Sequence, residues 1–485
     1  MRWNPLHISL ETVIAASPML GHELEDRRPV RQAQNDALAR RFASASAVPL
    51  RSTSQRDLFC VAPLDWLASE QEGRTQFHLL ELNGTGIGGL TNMTDRAVCE
   101  TLHSLAESCS TFDDPDGVVL LAVSGKESTS KPRLNRVMHE KLLFVEAIRH
   151  GLTQRFGRSE AATLDCLERR APRGRQAGPT VVLGYIKDFL NALRLAPDGT
   201  VWLNGRRVIG AVNDRFCRNM LQRFDERVDL ARLKTMNRCF AVGSDKGIAY
   251  ALLNEFVQAN PQDRLPNEIR HARATCRLSL IETVLDWLAD GRQVVIKPHG
   301  TGLGHGIEFF FDPHEPIESI VSRIDASLAQ TEEYYGLPGG ALPYTVCEYV
   351  DARRLRAPGH PLHGHKYELR VVVYRSGMTL RAFPSIAKIA RERDDCGGAV
   401  RRALINNITA SGDTAKVNGV DYMLPLCNAN ALEMLGLSLE EVESLCAAAT
   451  GYVRYVLDQV EDRPERFGLP ESTRRPVVET VAAAA

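Results

Sequence analysis

Residues 294–307 read VVIKPHGTGLGHGI. The β-branched run Val294-Val295-Ile296 predicts a strand that delivers Lys297 and Pro298 to its end. Gly300, Gly302, Gly304 and Gly306 follow at every second position. Glycine permits positive φ and lets backbone N–H groups approach an anion closely. A lysine fixed beside such a loop suits a polyphosphate. No GxxxxGK[ST] occurs in the chain, so the loop is not of the Walker A kind. The plainer reading is a mobile glycine loop beside an unrelated lysine. Matching pieces farther along the chain weigh against it.

The chain has 485 residues, enough for two to four domains or lobes with large cores. It carries 59 basic and 60 acidic residues, a formal net charge of -1. That balance gives no reason to expect nucleic acid or an anionic membrane as partner. Hydrophobic content of 44% with 25% charged residues is ordinary for a soluble globular protein. No apolar run is long enough to cross a bilayer, and Pro5, His7 and Glu11 interrupt the N-terminal segment against a signal-peptide reading. Eleven cysteines are scattered singly, with no CxxC and no Cys/His cluster at zinc spacing. Scattered thiols of odd number fit a reduced, cytoplasmic protein.

Residues 57–67 and 76–82 are apolar runs separated by the turn 71–74, which predicts a β-hairpin. A glycine-rich segment, 84–89, comes next. Helices are predicted over 31–46, 95–107, 134–157, 245–256, 278–289 and 440–458. Strands are predicted at 117–123, 180–184, 237–242, 344–350, 369–374 and 379–390, with a hairpin around NGRR within 201–210. The tail from 461 is rich in Pro, Arg and Glu and is expected to be poorly ordered.

Binding ATP requires cations on the phosphates, a cover, an adenine slot, a ribose acceptor and oxygen ligands for Mg²⁺. Lys297 and the loop Gly300–Gly306 supply the first two. Lys246, in GSDKGIAYALL, is a second cation at a strand-to-helix turn. Glu348, Tyr349, Val350 and Asp351 end a strand, where backbone groups can meet adenine and Asp351 can accept from ribose. Glu368 and Arg370 stand two residues apart in KYELRVVVY, so they share a strand face. Lys388 ends a following strand. Asn406 and Asn407 open a polar loop.

With these motifs in view, the chain resembles the ATP-grasp superfamily over about residues 237–420. The carriers are SDKGIAYALL, VVIKPHGTGLGHGI, VCEYVD, YELRVVVYRSGMTLRAFPSIAKIA and INNITASG, in the family's order. The resemblance implies an α/β fold: two ATP-grasp lobes of α+β type with a preceding α/β domain. It also implies a carboxylate–amine ligase that uses ATP and Mg²⁺, passes through an acyl phosphate, and takes a small-molecule carboxylate and amine. Homodimers are common in this class. Arg370, Lys388 and Asn407 are the implied catalytic residues. Lys246, Lys297, the four loop glycines and the hinge 348–351 are the implied nucleotide contacts.

One departure stands out. The family ends its domain with a hairpin bearing an acidic residue and an E-x-N motif that holds Mg²⁺. Here that place holds a helix and a tail. Glu81-Leu82-Asn83 instead closes the hairpin near the N-terminus, and Asp65 lies on its first strand, with Asp57 a competitor. The expectation is a circular permutation: 1–92 completes the large lobe and carries the metal ligands Asp65, Glu81 and Asn83. Residues 93–235 then form the preceding domain, 236–345 the small lobe, and 346–485 the rest of the large lobe. Chain ends often lie close together, which makes such a rearrangement tolerable. Glu81 inside an apolar run would be costly to bury without a partner.

Plainer readings stand beside these. Asn83 before Gly84 is ordinary turn chemistry. Gly84-x-Gly86-x-x-Gly89 fits a dinucleotide fingerprint, which makes a nicotinamide-dependent oxidoreductase a rival, although Glu127 comes late for the ribose acid and follows Lys126. A phosphotransferase or a nucleotide-binding regulatory module on the same fold is another rival. Glu368 and Arg370 could form a plain ion pair. His360, His363 and His365 read as an exposed loop, His305 as solvent-facing, and Arg169, Arg170, Arg173 and Arg175 as a solvated face.

Overall fold

The computed structural model describes residues 28–83, 90–123, 136–169, 178–212, 215–224, 227–237, 242, 245–261, 266–299, 304, 306–335, 341–393 and 422–467. The fold is α/β, with helices packed on three sheets.

The N-terminal part contributes β1 (Val48–Pro49), β2 (Val61–Gln71) and β3 (Arg74–Leu82). β2 and β3 form a hairpin whose two-residue turn, Glu72-Gly73, has φ of 52° and 71°. Positive φ at both positions matches the right-handed strand twist, and glycine takes the second at no steric cost.

Next come β4 (Val118–Val123), β5 (Glu160–Thr163), β6 (Thr180–Tyr185), β7 (Arg194–Leu195), β8 (Val201–Leu203), β9 (Arg206–Val212) and β10 (Lys234–Met236). They form one sheet in the order β5-β6-β4-β9-β8-β7, with β10 also on β9. β5, β6, β4 and β9 pair in parallel; β4, β6 and β9 carry the buried, Val-rich runs such a sheet needs, and β5 is its partly exposed edge. The Asn204-Gly205 turn joins β8 to β9 with φ of 48° and 71°. β3 and β4 lie in different sheets. The segment from 74 to 123 is therefore not one βαβ unit, which removes the frame a dinucleotide fingerprint at 84–89 needs; those glycines themselves lie outside the described residues.

A four-stranded antiparallel sheet follows: β11 (His271–Ala274), β12 (Val294–Pro298), β13 (Glu308–Phe310) and β14 (Tyr344–Glu348), in the order β11-β14-β12-β13. The helices Arg277–Ala289 and Ile317–Tyr335 cover one face with Leu280, Val284, Leu288, Ile320 and Ile324, packed on Val294, Ile296 and Val346. The helix Ile317–Tyr335 carried no sequence expectation, and the expected strand at 237–242 falls mostly outside the described residues. β10 ends just before it, at Met236.

The chain then returns to the first sheet with β15 (Tyr367–Ser376), β16 (Thr379–Ile389) and β17 (Met423–Pro425). The order is β1-β16-β15-β2-β3, with β17 on β16. The early hairpin is thus the direct neighbour of a strand some 300 positions later, with Arg370 opposite Asp65 and Val372 opposite Pro63. The helix Leu439–Asp462, capped by Ser438 and Glu441 in a capping box, packs on β16.

Arg375 fastens this sheet to its surroundings. It is fully buried. Its Nε donates to the Phe59 carbonyl at 2.9 Å. Nη1 donates to Glu107 at 2.8 Å and to the Gly377 carbonyl at 3.0 Å. Nη2 donates to the Ser104 carbonyl at 2.5 Å and to Ser108 Oγ at 3.3 Å. One guanidinium fork therefore serves the segment before β2, the helix Asp95–Ser108 and the turn between β15 and β16. Arg375→Met leaves buried carbonyls unpaired. It is expected to lower unfolding free energy by about 3 kcal/mol in urea titration; a loss within about 0.5 kcal/mol would show that these bonds matter little.

Candidate functional site

The site lies where the first and third sheets face each other across the helix Lys246–Ala259. Asp245 caps this helix: its Oδ1 accepts from the N–H groups of Gly247 at 3.0 Å and Ile248 at 3.2 Å. The cap places Lys246 at the first helical position, where it is buried and aimed at β3. Lys246 Nζ comes within 3.6 Å of Glu81 Oε2. Asp245 Oδ2 lies 3.2 Å from Arg273 Nη2 and 3.2 Å from His299 Nδ1. Burial raises a carboxyl's pKa, but the bonds and charges from His299 and Arg273, with the Ile248 amide, outweigh it and hold Asp245 well below the usual carboxylate range.

Lys297 sits near the end of β12 and is 6% exposed. Its Nζ donates to Tyr250 Oη at 2.7 Å. Burial works against the ammonium, yet Cys347, Tyr250 and Glu81 outweigh it, so the pKa lies above the ordinary lysine value. Burial pushes the Cys347 thiol up in turn, against the pull of Lys297. The lysine therefore stays charged and the thiol stays protonated near neutral pH.

Of the loop that follows, Gly304 and Gly306 are described, with φ of 70° and 69°. Gly300, Gly302 and His305 lie outside the described residues. Gly306 is pinned: its N–H donates to Gln330 Oε1 at 3.2 Å and its carbonyl accepts from Ser327 Oγ at 2.6 Å. A Cβ here would lie 2.2 Å from Thr331 Oγ1. Both φ and space therefore demand glycine.

On the first sheet, a row of charged residues crosses four strands. Lys388 stands opposite Glu368, and Arg370 is opposite Asp65, which is opposite Glu81. Asp65 is fully buried. It accepts from Arg370 Nε at 2.7 Å and Nη2 at 2.7 Å, from Lys388 Nζ at 3.0 Å, and from Asn83 Nδ2 at 3.2 Å. Lys388 is also ion-paired with Glu368. Burial alone would raise the Asp65 pKa, but Arg370 and Lys388 hold it well below the usual carboxylate range. Three of these donors converge on Oδ2, and Oδ1 takes Arg370 Nε. Asp65, expected as a metal ligand, is here the shared acceptor of Arg370 and Lys388. The competitor Asp57 lies on the short helix Thr53–Leu58 before β2.

Glu81 and Asn83 differ from Asp65. Glu81 is half-buried at the end of β3, and Asn83 follows the strand. Asn83 Nδ2 donates to Glu81 Oε1 at 3.1 Å as well as to Asp65. With its NH₂ directed at the two carboxylates, the amide presents Oδ1 on its other side. One carboxylate and one amide oxygen are hard donors of the kind Mg²⁺ takes when it shares its shell with phosphates. No group of three His, Cys, Asp or Glu able to hold a metal occurs among the described residues.

The hinge residues are only partly placed for a base. The Glu348 amide donates to the Arg270 carbonyl at 3.2 Å and the Tyr349 amide to the Gln293 carbonyl at 2.9 Å. Neither N–H can serve adenine without breaking that bond. Asp351 is exposed and pairs with Lys366 Nζ at 2.7 Å, while the same ammonium donates to Tyr349 Oη at 2.7 Å. Val350 lies between them, half-buried. Asn406 and Asn407 lie outside the described residues. In the loop before β15, His360 and His363 Nδ1 each accept from a backbone N–H at 3.2 Å, and His365 Nδ1 lies 2.8 Å from the Ala390 carbonyl.

Tyr250, Lys366, Asp245 and His299 belong to the site and had no place in the sequence reading. A signal existed for two of them. Tyr250 is four residues after Lys246, hence on the same helix face, and Lys366 precedes Glu368 and Arg370 at strand alternation.

No family model and no curated protein sequence matches the chain. Among solved structures it is similar to a glutathione synthetase-like effector from Globodera pallida, at 12% identity and TM-score 0.33, covering 78% of this chain and 83% of that one. It is also similar to D-alanyl-alanine synthetase A from Vibrio cholerae, at 13% identity and TM-score 0.31, covering 64% and 78%. At these scores neither likeness bears on the chemistry, which rests on the residues above. Among the described residues no helix is long and apolar enough to cross a membrane.

Asp65→Asn leaves two buried cations short of their counter-charge and is expected to cost about 3–5 kcal/mol of stability at neutral pH. A native pKa held low contributes stability above the unfolded value of about 3.9 and loses it as pH falls toward the native value. Between about pH 5 and about pH 3, wild-type stability in urea titrations is therefore expected to fall more steeply than the variant's. Parallel curves would contradict the assignment.

Proposed function

We propose that the chain is an ATP-dependent ligase that joins a carboxylate to an amine and releases ADP and phosphate. The observation that carries this reading is the approach of Lys246 to Glu81 across the cleft, at 3.6 Å, with Lys297 buried beside them. Two buried ammonium groups facing a carboxylate and an amide oxygen form an arrangement for a polyphosphate with its metal. The order of the sequence motifs, each weak alone, supports the same reading.

Lys246 and Lys297 bind and orient the phosphates. Glu81 and Asn83 Oδ1 would hold Mg²⁺. When bound, the ion neutralises charge that builds on the phosphates. An oxygen of the substrate carboxylate attacks the γ-phosphorus in line, the bond to the bridging oxygen breaks, and ADP leaves. The amine then attacks the acyl carbon, phosphate leaves with the bonding pair, and the nitrogen gives up a proton. Arg370 and Lys388, held by Asp65 and Glu368, stabilise the negative charge on the transferred phosphoryl group and on the tetrahedral oxyanion. No nucleophilic side chain is required. The hairpin 61–82 takes the part that a C-terminal hairpin plays in the family the chain resembles, as a circular permutation would produce.

The test is phosphate release, measured over paired amino acids and related small carboxylates and amines. Turnover that needs both partners is expected, and Lys297→Ala is expected to lower it at least about 100-fold. Normal amine-dependent ADP release by that variant would refute the role of Lys297. ADP release that needs a carboxylate acceptor and no amine would select phosphoryl transfer instead, and tight ATP binding without turnover would select a regulatory module.

A further inference from the structure

Tyr250 occupies the junction of the site's two halves. It lies one helical turn after Lys246 and is 1% exposed. Its Oη accepts from Lys297 Nζ at 2.7 Å and donates to the Leu80 carbonyl at 2.6 Å. The direction of both bonds is forced, because an ammonium only donates, a carbonyl only accepts, and a phenol has one proton. The same ammonium lies 5.3 Å from the centroid of the Tyr250 ring, within cation–π range. Leu80 directly precedes Glu81. One helix face therefore touches two consecutive residues of β3: Tyr250 the Leu80 carbonyl and Lys246 the Glu81 carboxylate.

We propose that Tyr250 is a positioning residue that sets the placement of Lys297 against Glu81 through a single hydroxyl bridging β12 and β3. The proposal rests on the reading of this site as one for MgATP. An ammonium has three N–H donors. Directing one at Tyr250 fixes the rotation of the head group and so aims the other two. Because the same hydroxyl is anchored on β3, Lys297 is referenced to the strand that ends in Glu81 and not only to its own sheet. Tyr250→Phe keeps the ring and its packing and removes only this link.

The test is a double-mutant cycle on the full chain, read by calorimetric titration with MgATP. Tyr250→Phe is expected to weaken binding about 10- to 100-fold. In a Lys297→Met background the same change is expected to cost less than about 2-fold, because no lysine remains to be positioned. Equal losses in both backgrounds would mean that the tyrosine serves fold stability alone and would overturn the proposal. A second readout needs no nucleotide. Acylation of Lys297 by an amine-reactive reagent, followed by mass spectrometry, is expected to rise several-fold in Tyr250→Phe as the head group is released, and unchanged labelling would overturn the proposal. Should Tyr250→Phe fail to fold, difluorotyrosine at position 250 keeps the shape and weakens the hydroxyl as an acceptor. A smaller loss in the same direction is expected there, and none would overturn the proposal. Wild-type protein that does not bind MgATP would defeat the site reading and this proposal together. Binding that depends on Lys297 but not on Tyr250 would defeat this proposal alone.

Discussion

The register of β2 on β15 is the constraint on which the rest depends. It sets Asp65 opposite Arg370 in the interior of the first sheet. A slip of one residue would turn Asp65 to the opposite face and leave Arg370 and Lys388 without it. Asp65 would lose both cations and Arg370 its two-pronged acceptor, a cost that apolar packing would not readily offset. The ion pair therefore acts on specificity more than on net stability, since a well-packed apolar substitute could be as stable. What it secures is the alignment of a hairpin from one end of the chain with strands from the other. Glu81 and Asn83 are carried into place by that alignment, because Glu81 is the cross-strand neighbour of Asp65.

Two kinds of polar group follow from this arrangement. Asp65 and Glu368 are enclosed and paired with Arg370 and Lys388. Glu81, Asn83, Lys246 and Lys297 stand where the two sheets face each other. Lys246 and Lys297 are each buried, the first 3.6 Å from the Glu81 carboxylate and the second 2.7 Å from the Tyr250 hydroxyl. Two concentrated positive charges of this kind hold an anion with little reorganisation on binding. His299 and Asp245 stiffen the start of the glycine loop and of the Lys246 helix, and Gly306 is clamped on the helix Ile317–Tyr335 at the loop's other end.

The sequence made some of this legible. Strand β12 could be read from three β-branched residues and its lysine. The early hairpin could be read from alternation around a turn that glycine permits. The tripeptide Glu81-Leu82-Asn83 could be read as the end of that hairpin's second strand, which it is. Other features depended on long-range pairing that periodicity does not encode. The four donor contacts of Asp65 come from residues 83, 370 and 388, which only strand pairing brings together. Tyr250 was passed over because an aromatic residue in an apolar helix reads as core, which it is, apart from one hydroxyl. The strand end at 348–351 was expected to present backbone groups to a base, and the amides of Glu348 and Tyr349 already have partners. They are held by the carbonyls of Arg270 and Gln293, partners that only the folded sheet reveals.

The central claim is that one nucleotide site is built from both ends of the chain, with its metal held by the early hairpin. It is tested most directly by locating the metal. Manganese can replace magnesium at oxygen sites and scatters anomalously, so crystals grown with Mn²⁺ and a non-hydrolysable ATP analogue would mark its position. The account predicts an anomalous peak on the Glu81 carboxylate and Asn83 Oδ1, with the phosphates extending toward Lys246 and Lys297. A peak elsewhere, with Glu81 still turned to Lys246 and the nucleotide bound away from the hairpin, would contradict it.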